Sequence, residues 1–81
     1  MTTELNIKLP TIENVKEFIR VVTMIDCNLN IKSASQKYIV DAKSILGVLS
    51  LDLSKELILE IESTQESTVN EIKDKLAKFL V

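Results

Sequence analysis

Ser44, Glu13 and Cys27 are the side chains whose type and setting could support chemistry in this chain, which contains no histidine. Ser44 opens the stretch Ser44-Ile45-Leu46-Gly47-Val48-Leu49-Ser50. Apolar residues fall at 45, 46, 48 and 49, and Ser, Gly, Ser recur every third residue, which predicts a short helix with one polar stripe. At its start the Ser44 hydroxyl can cap a first-turn amide, and a phosphate placed there would meet free N–H groups and the positive end of the helix dipole. Gly47 costs a helix interior roughly 1 kcal/mol relative to alanine, so it implies close backbone approach or a surface kept flat for a partner. Glu13 lies near the start of another predicted helix, where a negative charge is favoured. Cys27 has no basic residue beside it to lower its pKa and is expected to be a structural thiol. Neither a metal nor a cofactor is expected.

These residues are carried by a chain of 81 residues, room for one domain (1–81) and one core. Aromatics are scarce (Phe18, Tyr38, Phe79), so Leu, Ile and Val must do the packing. A net charge of −2 lacks the basic excess of a phosphate-backbone binder, which excludes nucleic acid as the expected partner. No apolar run approaches the ~20 residues of a membrane span, and Met1 to Lys8 lacks signal-peptide order. With a single cysteine that cannot pair internally, the expected location is the cytoplasm.

Leu5, Ile7 and Leu9 alternate with polar residues and predict a first strand ended by Pro10. Asn14 with Glu17 has capping-box spacing, and Val15, Phe18, Ile19, Val22 and Ile25 predict a helix ending near Asp26 to Asn28. Leu29, Ile31 and Ser33, then Tyr38, Val40 and Ala42, predict a hairpin across a Ser35-Gln36 turn, without a strong turn dipeptide. After the short helix and a polar loop, Leu57, Leu59 and Ile61 predict a fourth strand with one apolar face. Ser63 to Glu66 fits a capping box for a last helix whose stripe is Val69, Ile72, Leu76, Phe79 and Leu80. Glu71 with Lys75 and Asp74 with Lys78 are expected i,i+4 pairs. The economical arrangement is an α+β two-layer fold, with helices covering one side of a four-stranded sheet.

Lys43-Ser44-Ile45-Leu46-Gly47-Val48-Leu49-Ser50-Leu51 resembles the K-S-I-M-G-V-M-S-L segment of HPr, the histidine-containing phosphocarrier of the bacterial sugar phosphotransferase system. The resemblance extends to length and element order. It implies an open-faced sandwich, β-α-β-β-α-β-α, with an antiparallel sheet in the order first, fourth, second, third, and three helices on one face. That family carries its phosphoryl group on the histidine of a G-[IL]-H-A-R-P-A segment. Counted back from Ser44 without a gap, Glu13 falls on the histidine, Val15 on the helper arginine and Lys16 on the proline. A carboxylate does not replace an imidazole as a reversible carrier without a shielding pocket, so no enzymatic or relay activity is expected. Glu13 could instead mimic phosphohistidine by charge. Ser44 matches the serine that a dedicated kinase phosphorylates in some HPr proteins, and Ile45, Leu46, Gly47 and Leu49 match the docking surface.

Three classes of function follow. The first is a noncatalytic, regulatory HPr-like module, a monomer or weak dimer that binds phosphotransferase-system proteins or a transcriptional regulator. The second is a kinase substrate modified at Ser44. The third is a small acyl or peptidyl carrier with a prosthetic arm on Ser44. Carriers are all-helical and place an aspartate where this chain has Lys43, so a sheet would exclude that class.

Overall fold

The computed structural model describes residues 2–35, 38–63 and 65–81. Four strands, β1 (Thr2–Ile7), β2 (Asn28–Ser33), β3 (Val40–Asp41) and β4 (Leu57–Glu62), form one antiparallel sheet in the order β1-β4-β2-β3. Three helices, α1 (Ile12–Thr23), α2 (Ile45–Leu49) and α3 (Glu66–Lys75), intervene, and a 3-10 turn follows at Ala77–Phe79. This is the α+β open-faced sandwich.

Alternation along the strands sorts the side chains between the two faces. Across the register, Thr3, Ile61 and Leu29 form one row, Leu5, Leu59 and Ile31 a second, and Ile7, Leu57 and Ser33 a third. These rows face a core completed by Val15, Phe18 and Val22 of α1, Val48 of α2, and Val69, Ile72, Leu76 and Phe79 of the C-terminal segment. Phe18 and Phe79 meet edge to face with ring centroids 5.9 Å apart, joining the first helix to the last turn. Buried Ser33 is satisfied locally, because its Oγ accepts from the Ser35 N–H at 3.3 Å and contacts the Ser35 hydroxyl at 3.1 Å. The opposite rows are polar apart from Ile58. There Lys32 sits between Glu60 at 3.1 Å and Glu4 at 3.5 Å, and the hydrogen bond to Glu60 holds its pKa above the ordinary lysine value.

Several boundaries differ from the sequence expectation. Leu9 lies beyond β1, yet it is buried, because Lys8 N–H donates to Phe79 C=O instead of continuing the ladder. The cap of α1 is Thr11, whose Oγ accepts from Asn14 N–H at 3.1 Å while Asn14 Oδ1 accepts from Thr11 N–H at 3.2 Å. Asn14 is thus the third helical residue of the box, not its start. The helix also stops sooner, at Thr23 with Met24 as C-cap. Only Val40 and Asp41 of the third predicted strand pair, and Gln36 of the predicted turn lies outside the described residues. Gln65 caps α3 without a side-chain hydrogen bond, and Thr64 of the predicted box is likewise outside the described residues. Glu71 and Lys75 pair at 3.1 Å as expected. Lys78 does not turn back to Asp74, because α3 has ended and the i,i+4 geometry with it; its amine reaches Glu17 on α1. Leu80 also leaves the stripe and is 36% exposed, bridging the backbone of Ile7 instead.

Candidate functional site

The site is built around α2, a helix of five residues and therefore too short to persist unaided. Neighbours pin both of its ends. Before it, Ser44 N–H donates to Asp41 C=O at 3.0 Å and Lys43 N–H to Asp41 Oδ1 at 2.9 Å, closing a turn from β3. Lys43 Nζ donates to Ile25 C=O at 2.7 Å, tying that turn to the chain just past α1. Ser44 then occupies the N-cap, with Oγ accepting from Gly47 N–H at 3.2 Å. At the far end Ser50 Oγ donates to Gly47 C=O at 2.6 Å, and Tyr38 OH donates to Ser50 C=O at 2.7 Å.

Held this way, α2 buries Val48 alone. At about 100° per residue, Ile45 and Leu49 lie to the side of Val48 and Leu46 points almost directly away from it. Their exposures follow that geometry: Ile45 40%, Leu49 40% and Leu46 78%. Three aliphatic side chains on one solvent-facing surface form the apolar patch the sequence pattern suggested. Tyr38 and Ile39 are also about half exposed, beside it in the segment entering β3, and were missed because their alternation resembled a strand interior. Gly47 meets the close backbone approach that its place in a helix interior implied. A Cβ built on it would stand 3.1 Å from Cβ of Val40 and 3.3 Å from Ser44 Oγ, so the missing side chain lets α2 settle against β3.

Glu13 is the second residue of α1, with its side chain 82% exposed and 3.8 Å from Lys16. Such a pair in solvent contributes little to stability. The two positions counted onto the family's arginine and proline fit poorly. Val15 is fully buried, where a phosphate-contacting arginine could not reach solvent. Lys16 is the fifth helical residue, where proline would lose a helical hydrogen bond and cost ~3 kcal/mol. A shift of two residues would avoid both conflicts, by putting arginine and proline on Glu13 and Asn14 in the first turn and histidine on Thr11.

Cys27 is half-buried, and burial pushes its thiol pKa up. Lys43 opposes that shift, while Asp26 and Glu62 reinforce it. The lysine is sixteen positions away in sequence, so only the fold reveals it. Among the described residues no His/Cys/Asp/Glu group is arranged to hold a metal, and no helix is long and apolar enough to cross a membrane.

No protein-family model and no curated protein matches the chain. Solved structures do. HPr-C-His from Thermoanaerobacter tengcongensis superposes with a TM-score of 0.68 at 21% identity, covering 96% of this chain and 91% of that one. The phosphocarrier protein HPr from Bacillus anthracis str. Ames superposes with a TM-score of 0.66 at 17% identity, covering 93% and 94%. The chain therefore has the HPr-like fold. The four-stranded sheet removes the all-helical carrier class from consideration.

Proposed function

We propose that this protein is a noncatalytic, HPr-like interaction module that docks a partner protein through α2 and does not relay phosphate. The observation that carries the reading is the exposure of Ile45, Leu46 and Leu49 on a helix pinned at both ends. A preorganised apolar surface loses little conformational freedom when a partner covers it. Partners of the phosphotransferase system, or a transcriptional regulator that reads such a surface, fit this reading, as does a cytoplasmic location.

The loss of relay rests on chemistry. The chain has no imidazole, and Thr11, which a two-residue shift would bring to the acceptor position in place of Glu13, is engaged as a cap: it accepts from Asn14 N–H and its hydroxyl donates to Asn14 Oδ1 at 2.7 Å. A threonine ester would in any case be too stable to pass its phosphoryl group on. Glu13 is then an ordinary first-turn acid stabilised by the helix dipole, which accounts for it without phosphohistidine mimicry.

The test combines labelling and binding. Incubation with phosphoenolpyruvate and the system's first enzyme is expected to leave the chain unlabelled, while amide resonances of residues 45–50 shift as phosphotransferase-system proteins are titrated in. Label on the wild-type chain, or shifts confined to surfaces away from α2, would overturn the reading.

A second reading, a serine-kinase substrate, is favoured by the exposed Ser44 hydroxyl at the N-cap. A phosphate there would keep acceptor oxygens facing the same amides and leave α2 folded. It predicts an alkali-stable label that disappears in Ser44→Ala.

A further inference from the structure

The two long helices lie side by side and run in opposite directions. Glu17 and Phe18 in the first half of α1 meet Lys78 and Phe79 just past α3, while Met24 and Ile25 at the other end of α1 share a hollow with Thr68 and Ile72 of α3. Helical spacing therefore sets Val21 and Met24 on the flank of α1 toward α3, and Thr68, Glu71 and Lys75 on the flank of α3 toward α1. Between them runs a groove of two adjoining hollows, of about 300 and 230 Å³, which share Met24 and Lys75. Its floor is apolar, with Ile25 and Ile72 buried and Val21 half-buried, and Met24 stands over it 79% exposed. No residue of α2 lines either hollow.

Charge along the groove is matched except at one end. Glu71 pairs with Lys75 at 3.1 Å, and Glu17 pairs with Lys78 past the far end. Asp26, which lines the near end, is exposed and makes no ion pair among the described residues. It lies three residues beyond the last residue of α1, where the helix dipole disfavours a negative charge, and the amine of nearby Lys43 is committed to Ile25 C=O at 2.7 Å. The groove thus favours a cation at the Asp26 end and aliphatic surface along the rest. Its walls are helices whose backbone groups are bonded internally, so an extended segment would find no ladder to join, whereas a helix brings its own backbone hydrogen bonds.

We propose that this groove docks one amphipathic helix of a partner protein, laid between α1 and α3 with its N-terminus toward Asp26. Such a helix carries lysine or arginine in its first turn, opposite Asp26, and aliphatic residues four and seven positions later that cover Met24 and Val21. Its basic side chain and the positive end of its dipole then both face Asp26. Methionine suits the contact, because its unbranched side chain repacks around differing neighbours. Helices of a second copy fit less well. The outward face of α1 carries Glu13, Lys16 and Arg20, and α2, though aliphatic, is five residues long with Lys43 already tied to Ile25.

The probe is acetyl-Ser-Ala-Arg-Gln-Ala-Ala-Leu-Gln-Ala-Leu-Leu-Gln-Ala-Ala-Gln-amide, titrated to about 1 mM, the affinity range of one short helix contact, into uniformly nitrogen-15-labelled protein. The expected result is movement of the amides of residues 21–26 and 68–75, with residues 45–50 unmoved. Met24→Ser, a change at an exposed position, should weaken binding about tenfold. Asp26→Lys should weaken it about threefold, and replacing the peptide arginine by glutamate should restore it on this variant, the scale of one exposed ion pair. Absence of shifts, shifts centred on α2, or no dependence on the charge exchange would overturn the proposal. So would amides of residues 21–26 that move with protein concentration and resist the peptide, since a second copy would then occupy the groove. Because α2 takes no part, a failure of docking there leaves each of these outcomes unchanged.

Discussion

Replacing Leu46 by aspartate separates docking from folding. With 78% of Leu46 exposed, only about a fifth of its surface leaves water on folding. Since full burial of a leucine is worth ~1.5–3 kcal/mol, the hydrophobic loss is about 0.5 kcal/mol. Leu46 is also the second residue of α2, where a carboxylate interacts favourably with the dipole by about 0.3–1 kcal/mol. The two terms nearly cancel, and the melting temperature should stay within about 4 °C of wild type. Val48→Ala is the control. Val48 is fully buried, so its loss removes two methyl-sized groups at ~0.8 kcal/mol each and leaves a cavity, about 2–3 kcal/mol in all. That corresponds to a fall of roughly 10–20 °C for a domain of this size. Thermal unfolding followed by circular dichroism measures both, and amide titration with a phosphotransferase-system partner measures docking. Leu46→Asp should retain the fold and lose the α2 shifts. If it melted as low as Val48→Ala, the outward geometry of α2 would be wrong; if it bound with unchanged affinity, the patch would not be the docking surface.

Three further outcomes follow from individual side chains. Thr11→Ala should cost ~1 kcal/mol by removing the α1 cap, whereas Asn14→Ser, which keeps a short polar group at the third position, should cost less; chemical denaturation gives both, and equal losses would refute the capping assignment. Because burial raises the Cys27 pKa, less of it is thiolate at pH 8 than in an exposed cysteine peptide, so it should react more slowly with a disulfide reagent, and Lys43→Ala should slow it further; a faster reaction would contradict this. Lys32 has a raised folded-state pKa, so its contribution to stability is fully present below the ordinary value of 10.5 and is lost as pH rises through the raised value. The difference in melting temperature between wild type and Lys32→Met should therefore shrink in strongly alkaline buffer, and a growing difference would reverse the assigned sign.

Local pattern was enough to specify much of this protein. Alternation at Leu57, Leu59 and Ile61 and helical spacing at Val15, Phe18 and Val22 placed those residues in the core, where all are buried, because side chains two or three to four residues apart share a face whatever the rest of the chain does. The absence of any histidine was also plain from composition. Caps and helix ends were less legible. Thr11 and Asn14 compete with Asn14 and Glu17 for the same role, and which pair wins depends on where Pro10 and buried Leu9 deliver the chain.

What tertiary structure alone decided are the relations between residues distant in sequence. Nothing local says that Gly47 must clear Val40, that Lys78 will meet Glu17, or that Lys43 will lie near Cys27 and hold Ile25. The same holds for the surface of α2. Ile45, Leu46, Val48 and Leu49 are equally apolar, and only the sheet beneath selects Val48 for burial and turns the others outward. The bridge from Leu80 to Ile7 forms only once the four strands have chosen their order and left β1 at an edge. Periodicity determines which side chains travel together on one element; packing determines what that element meets, and hence which of them face water.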